Sequence, residues 1–209
     1  MAVVYSQNGT IVRTVEPTGT LLSNYVKTNP IYYNGYGTFY NPWITIKPVS
    51  NANKIICKIY RSADGGHANF SYFFKAGPDL NIYCADQWSN LYGNNGSIDT
   101  QFTLSNRLGK GYHTVEITES TMKVDGTSYT INYTAISNIT KVQPVPLSQN
   151  GEKVSTLIDA MAEIKIVDAT GNVLCDILPV KRTYDNKLFL IDTISGERLA
   201  HNDFATISA

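Results

Sequence analysis

Charge is what this 209-residue chain has least of. Lys, Arg, Asp and Glu make up 16% of it, with 17 basic residues against 17 acidic ones and a formal net charge of +0. A soluble domain ordinarily carries roughly 25%. Without a basic excess nothing neutralises a phosphate backbone, which excludes electrostatically driven nucleic-acid binding and disfavours anionic membrane surfaces. Long apolar runs are missing too. None approaches the roughly 18 residues of a membrane span, so no membrane insertion is expected. The start Met1-Ala-Val-Val-Tyr-Ser-Gln-Asn8 has neither the basic nor the apolar stretch of a secretory signal.

Cysteine is sparse and unpaired in number. Cys57, Cys84 and Cys175 show no Cys-x-x-Cys spacing, and each sits in an apolar, strand-like run, so they read as buried reduced thiols. His67, His113 and His201 have no ligand spacing to them, which excludes a zinc site of the usual kind. Five Asn-x-Ser/Thr triplets, at Asn8, Asn69, Asn95, Asn132 and Asn138, are what an Asn- and Thr-rich chain produces by chance. Glutamate is scarce at six residues, and that bears on hydrolytic chemistry below.

Uncharged polar residues stand in for the missing charge. Asn occurs 19 times and Thr 21 times, beside 14 Tyr and 15 Gly. Val, Ile, Thr, Tyr, Phe and Trp total 78 against 57 for Ala, Leu, Glu, Lys, Gln, Met and Arg, a balance that predicts an all-β chain. Hairpin signals agree. Thr121–Val124 and Thr127–Ile131 flank Asp125-Gly126, a type I′ dipeptide; Ile164–Asp168 and Val173–Ile177 flank Ala169–Asn172; Leu188–Asp192 and Glu197–His201 flank Ser195-Gly196. Lys54–Tyr60, Asn69–Phe74, Leu80–Cys84 and His113–Thr118 alternate as strands, with Val115 and Ile117 on one side of the last. Short strands at roughly ten-residue spacing without a βαβ pattern predict an antiparallel sandwich. Only Val154–Ala162 has helical spacing, through Val154, Leu157, Ile158 and Met161, giving at most one short helix. Residues 1–25 read as an N-terminal arm or edge hairpin, and residues 26–209 as the main domain.

The run Ala162–Val180, followed by Leu188-Phe-Leu-Ile-Asp192 and Ser195-Gly-Glu197, resembles the end of laminin-G-like domains of the concanavalin A-like lectin/glucanase superfamily. Such domains are common in phage, prophage and gut-bacterial surface proteins. The shared elements are an alternating strand, a tight turn, a strand ending in Asp-x-x-Pro, and a final Asp…Ser-Gly hairpin. Gly111–Ile117 and Lys123-Val-Asp-Gly-Thr127 are similar to the strand and thin hairpin upstream. The resemblance covers about residues 26–205. Leu188-Phe-Leu-Ile departs from it where relatives often place Gly before an aromatic residue and Asp, which blurs the subfamily. The resemblance implies a two-sheet antiparallel jelly-roll sandwich hosting hydrolases, lectins or plain structural modules.

Glucanases of this superfamily carry Glu-x-Asp-x-x-Glu on one strand, and the chain contains no such run. Glu116 and Glu119 are three apart and face opposite sides of a regular strand, and Glu163 and Asp168 fail in the same way. A Gly-x-Ser-x-Gly elbow is missing as well. No catalytic residue is therefore expected. Binding is the alternative: Asp86–Ser97 offers Trp88 and Tyr92 for stacking on sugar rings and Asn90, Asn94 and Asn95 as donors and acceptors. The competing reading is a rim loop with Trp88 packed inward and Asn-Gly doing only backbone work. A second aromatic run, Tyr32, Tyr33, Tyr36, Phe39, Tyr40 and Trp43, reads mainly as one sheet's inner surface. No cofactor is expected. Calcium, which some relatives use, has only Asp64, Asp79 and Asp99 as loop acids here.

The expectation is a non-catalytic virion protein of fibre, tail or capsid-decorating type, assembled in a host cytoplasm. Its expected partners are other virion proteins or copies of itself, together with host-surface glycans. The alternative is a carbohydrate-binding module on a gut bacterium's surface, with a glycoside hydrolase behind it.

Overall fold

Alternation of apolar and polar residues recurs along the chain, and the computed structural model turns it into strands over most of the described residues. The structure describes residues 3–7, 10–15, 24–33, 44–62, 71–77, 82–87, 90–94, 99–103, 108–130, 136–143, 147–148, 159–199 and 204–206. The strands are β1 (Val3–Gln7), β2 (Thr10–Val15), β3 (Tyr25–Lys27), β4 (Ile31–Tyr33), β5 (Ile44–Val49), β6 (Lys54–Arg61), β7 (Ser71–Gly77), β8 (Ile82–Gln87), β9 (Asn90–Asn94) and β10 (Asp99–Thr103). They continue as β11 (Gly111–Ile117), β12 (Thr121–Val124), β13 (Thr127–Thr130), β14 (Ile139–Gln143), β15 (Leu147–Ser148), β16 (Asp159–Val167), β17 (Val173–Arg182), β18 (Leu188–Asp192), β19 (Glu197–Leu199) and β20 (Phe204–Thr206). The fold is almost all β, antiparallel, with essentially no helix. No helix among the described residues is long and apolar enough to cross a membrane.

Two sheets form. The larger has the order β1-β2-β19-β18-β17-β16-β6-β11-β12-β13, with β3, β4 and β20 alongside; the smaller runs β10-β9-β8-β7-β14-β5, with β15 on β7. Period-2 alternation sets which residues go inside. Ile55, Cys57 and Ile59 of β6 are fully buried, and the register lays Ile117, Val115 and Ile164, Ile166 beside them. Met122 and Val124 of β12 and Cys175 and Ile177 of β17 extend the same layer. Ile46, Val49, Ile139 and Val142 come from the smaller sheet and belong to the same buried cluster, so the two sheets share one core. Burying such a side chain contributes about 1.5–3 kcal/mol.

β18 is buried on both sides, which alternation alone does not predict. Leu190 enters the main core, while Phe189 and Ile191 join Tyr25 and Val180 in a second cluster on the other side of the larger sheet. Tyr25 meets Phe189 edge-on at 6.0 Å. The guanidinium groups of Arg182 and Arg198 lie 4.8 and 4.9 Å from the Phe189 ring centre, where cation–π attraction and their aliphatic stems cover the ring.

The three hairpins read from sequence are present. Asp125 and Gly126 both have positive φ, 49° and 85°, as a type I′ turn requires, and Asp125 accepts a hydrogen bond from Thr114 N at 2.8 Å, which ties the turn to β11. At the turn between β16 and β17, Asp168 Oδ1 accepts from Thr170 N, Thr170 Oγ1 and Asn172 N, and Oδ2 accepts from Asn172 Nδ2. These bonds favour the carboxylate, with the Thr170 hydroxyl the largest influence, and hold the Asp168 pKa down at about 2 against an ordinary 3.8. Asp185 is also held at about 2, chiefly by Arg182. Because both folded values are depressed, their stabilisation is complete above the ordinary carboxylate range and is lost as pH falls from 3.8 to about 2. Urea midpoints measured between these limits are expected to fall more steeply for the native chain than for Asp168→Asn; parallel slopes would contradict the assignment.

The helix expected over Val154–Ala162 is not what its last residues form. Asp159–Ala162 open strand β16, paired with β6 through Asp159↔Arg61, Ala160↔Tyr60 and Met161↔Ile59, while residues 154–158 lie outside the described residues. Nine residues of apolar spacing are too few to separate a helix from a strand buried on both sides. Ala160, Met161 and Ala162 are all buried here, so ladder pairing overrides local preference.

β1 and β2 form a hairpin at one end of the larger sheet, joined to β19 among the described residues by the pair Val15↔Glu197. β3 begins at Tyr25 and pairs with β17.

Candidate glycan-binding face

Asn90, Tyr92 and Asn94 fall on a strand rather than in the rim loop that was one reading of Asp86–Ser97. They occupy alternate positions of β9, which runs between β8 and β10. The sequence hid this strand because Asn and Gly, both poor strand formers, fill three of its five positions, and pairing on two sides supplies what propensity does not. Trp88 and Asn95 lie outside the described residues.

Backbone register defines what shares their side of the sheet, because directly opposed residues project the same way. Asn90 is opposite Gln87 and Thr103, Tyr92 opposite Ala85 and Gln101, and Asn94 opposite Tyr83 and Asp99. Following the ladder from β8 through β7 to β14 settles which side this is. Ile82 pairs with Ala76 and Ala76 with Val142, a fully buried core residue, so Tyr83, Tyr92 and their neighbours take the side away from Val142. Farther along the ladder, Lys141 and exposed Thr45 occupy that same side. Three strands with three positions each thus make a grid in which Asp99 is the one charged residue. Tyr83, Gln87 and Gln101 were not singled out from the sequence. The signal that would have found them is the pairing partner of each named residue, which only the register supplies.

Elsewhere, of the carboxylates considered for catalysis, Glu116, Glu163 and Asp168 are engaged in the ladder or its turns. Glu116 pairs with Lys54 at 3.1 Å and Glu163 with Lys165 at 2.6 Å across the outer side of the larger sheet. Asp168 is held in its turn, and Glu119 is exposed after β11 ends. Asp192 is buried beneath the turn that precedes β19. His113 bridges the Asp125 carboxylate and the Gly109 carbonyl, each at 2.7 Å. Among the described residues no three His, Cys, Asp or Glu side chains converge to hold a metal ion. Asp99 opens β10; Asp64, Asp79, His67 and His201 lie outside the described residues. Cys57 and Cys175 are free and buried; burial pushes the Cys57 thiol up to about 12 and raises Cys175 too, with Asp192 adding to the latter. Both are inert at neutral pH. The Cys84 side chain and the run Tyr36–Trp43 lie outside the described residues.

No family of known proteins, no curated protein and no solved structure matches the chain.

Proposed function

We propose that this chain is a non-catalytic adhesion protein of a virion, a fibre, tail or capsid-decorating component with a laminin-G-like jelly-roll sandwich, whose β8–β9–β10 face binds neutral host-surface glycans. One observation carries the binding reading: the register-defined grid of Tyr83, Ala85, Gln87, Asn90, Tyr92, Asn94, Asp99, Gln101 and Thr103 on the side away from the core. Sugars present apolar C–H surfaces between hydroxyls that both donate and accept. Tyrosine rings suit the first, and amides, which carry donors and acceptors on one side chain, suit the second. The nine positions carry one charge, Asp99, and Lys75 stands opposite Tyr83 at the β7 border of the grid. The virion setting rests on the family resemblance and on a neutral surface suited to contact with other protein copies.

A glycan array tests the binding reading directly. Native protein is expected to bind a subset of uncharged glycans, with Tyr92→Ala about tenfold weaker, equivalent to about 1.4 kcal/mol. Gln101→Ala is expected to weaken binding in the same direction, and Lys47→Ala, at an exposed position on another strand, to leave it unchanged. An array without hits for the native protein overturns the reading. Trp88→Ala measured in parallel reports whether that ring contributes.

A further inference from the structure

We infer that the N-terminal hairpin is a self-association arm, with β1 of one copy adding edge to edge onto β1 of a second copy. Three observations carry this. First, the hairpin pairs more extensively within itself than with its domain among the described residues: β1 and β2 pair along Val3–Gln7 and Thr10–Val15, while Val15↔Glu197 is the one described register pair joining them to the rest of the larger sheet. A two-stranded hairpin is marginal by itself in water and needs a further strand or packing partner.

Second, the ends of the two sheets are treated differently. β5 closes one end of the smaller sheet and carries exposed Lys47 and Pro48, a charge and a residue without an N–H, both of which block strand addition. β10, at the other end, begins with Asp99. β1, the terminal strand of the larger sheet, is Val-Val-Tyr-Ser-Gln, with no charge, no proline and strong strand formers at three of five positions. Among the described residues no other strand pairs its outer edge.

Third, the occupant that fits is a second copy. An uncharged strand laid antiparallel on itself sets no like charges against each other, and a chain of formal net charge +0 has no long-range repulsion to overcome. Identical edges meeting about a two-fold axis close the assembly at two copies, and the larger sheet then runs continuously through both. This inference stands apart from glycan binding, since β1 and the β8–β10 face belong to different sheets.

Light scattering on the full chain after size-exclusion chromatography is expected to give twice the 23.1 kDa chain mass. The double variant Val4→Lys/Ser6→Lys brings like charges together at the junction, and its mass is expected to fall twofold. Val4→Glu/Ser6→Glu is expected to do the same, and an equimolar mixture of the two to recover the doubled mass as a heterodimer. That recovery also shows that neither variant has lost its fold. A native mass other than twice the chain, a Lys variant that keeps the native mass, or a mixture that stays monomeric overturns the inference. Loss of glycan binding with the dimer intact would leave it standing.

Discussion

Replacing Asp192 with Ala is expected to destabilise the fold by about 3 kcal/mol, because hydrogen bonds to a buried charged acceptor are worth more than neutral ones and their loss orphans the donors. Asp192 is 3% exposed, and its carboxylate collects four donors. Oδ1 accepts from Asp176 N at 2.9 Å and Ile194 N at 3.1 Å, and Oδ2 accepts from the backbone N–H and the hydroxyl of Ser195. The bond to Asp176 N joins the turn before β19 to β17, and Thr193 N→Asp176 O at 2.8 Å runs the other way. Removing the carboxylate frees both ends of this clasp at once. In a chain of this size the loss corresponds to a melting point lower by roughly 6–12 °C. Asp192→Asn is expected to fall between native and Ala, since its NH2 must face an N–H donor. Ser195→Ala, which removes one donor and leaves the carboxylate three, is expected to cost only about 1 kcal/mol. Equal midpoints for Asp192→Ala and Ser195→Ala in thermal or urea unfolding would sink this account of the turn.

Asp192 also marks the boundary of what the sequence makes legible. Its strand, its turn and its hairpin are readable from Leu188–Asp192 and Ser195-Gly196, because alternation and turn chemistry are local. Its burial is not readable, since the donor from Asp176 lies 16 residues away and meets it only through the β17–β18 ladder. The same division holds elsewhere. Asp125-Gly126 announces a type I′ turn by itself, whereas Arg61 and Glu197, charged and buried, give no local sign of it. Val154–Ala162 misleads for a related reason. Ala160, Met161 and Ala162 are apolar on every side because β16 packs against neighbours on both, and such a run has no period of its own. At the candidate site the residue types Asn90, Tyr92 and Asn94 were legible, but their common strand and their partners Gln87, Gln101 and Tyr83 were not. Two-residue periodicity in an Asn- and Gly-rich segment is easily mistaken for loop composition.

The other large effect is expected at Ile164, where the core can be separated from the surface by a step of one residue. Ile164 is fully buried on β16, opposite Ile177 of β17 and Cys57 of β6, so its side chain has neighbours on both flanks as well as across the core. Ile164→Ala leaves a cavity that flanking strands on both sides cannot collapse into, and the expected cost is about 3–4 kcal/mol, with Ile164→Val near 1 kcal/mol. The next residue, Lys165, lies on the other side of the same strand and forms a 2.6 Å ion pair with Glu163. This contact raises the lysine's pKa, mainly through the hydrogen bond that its ammonium donates to the Glu163 carboxylate, with burial opposing it. A partly exposed pair of this kind holds two long side chains in place for a screened attraction, so Lys165→Ala is expected to change stability by at most about 1 kcal/mol. The comparison therefore sets a short, conspicuous ion pair against a side chain with no polar contact, and burial is expected to win severalfold. Urea unfolding of the three variants decides it. If Lys165→Ala cost as much as Ile164→Ala, the outer ladder of Lys54, Glu116, Glu163 and Lys165 would have to be counted as part of what holds the larger sheet together.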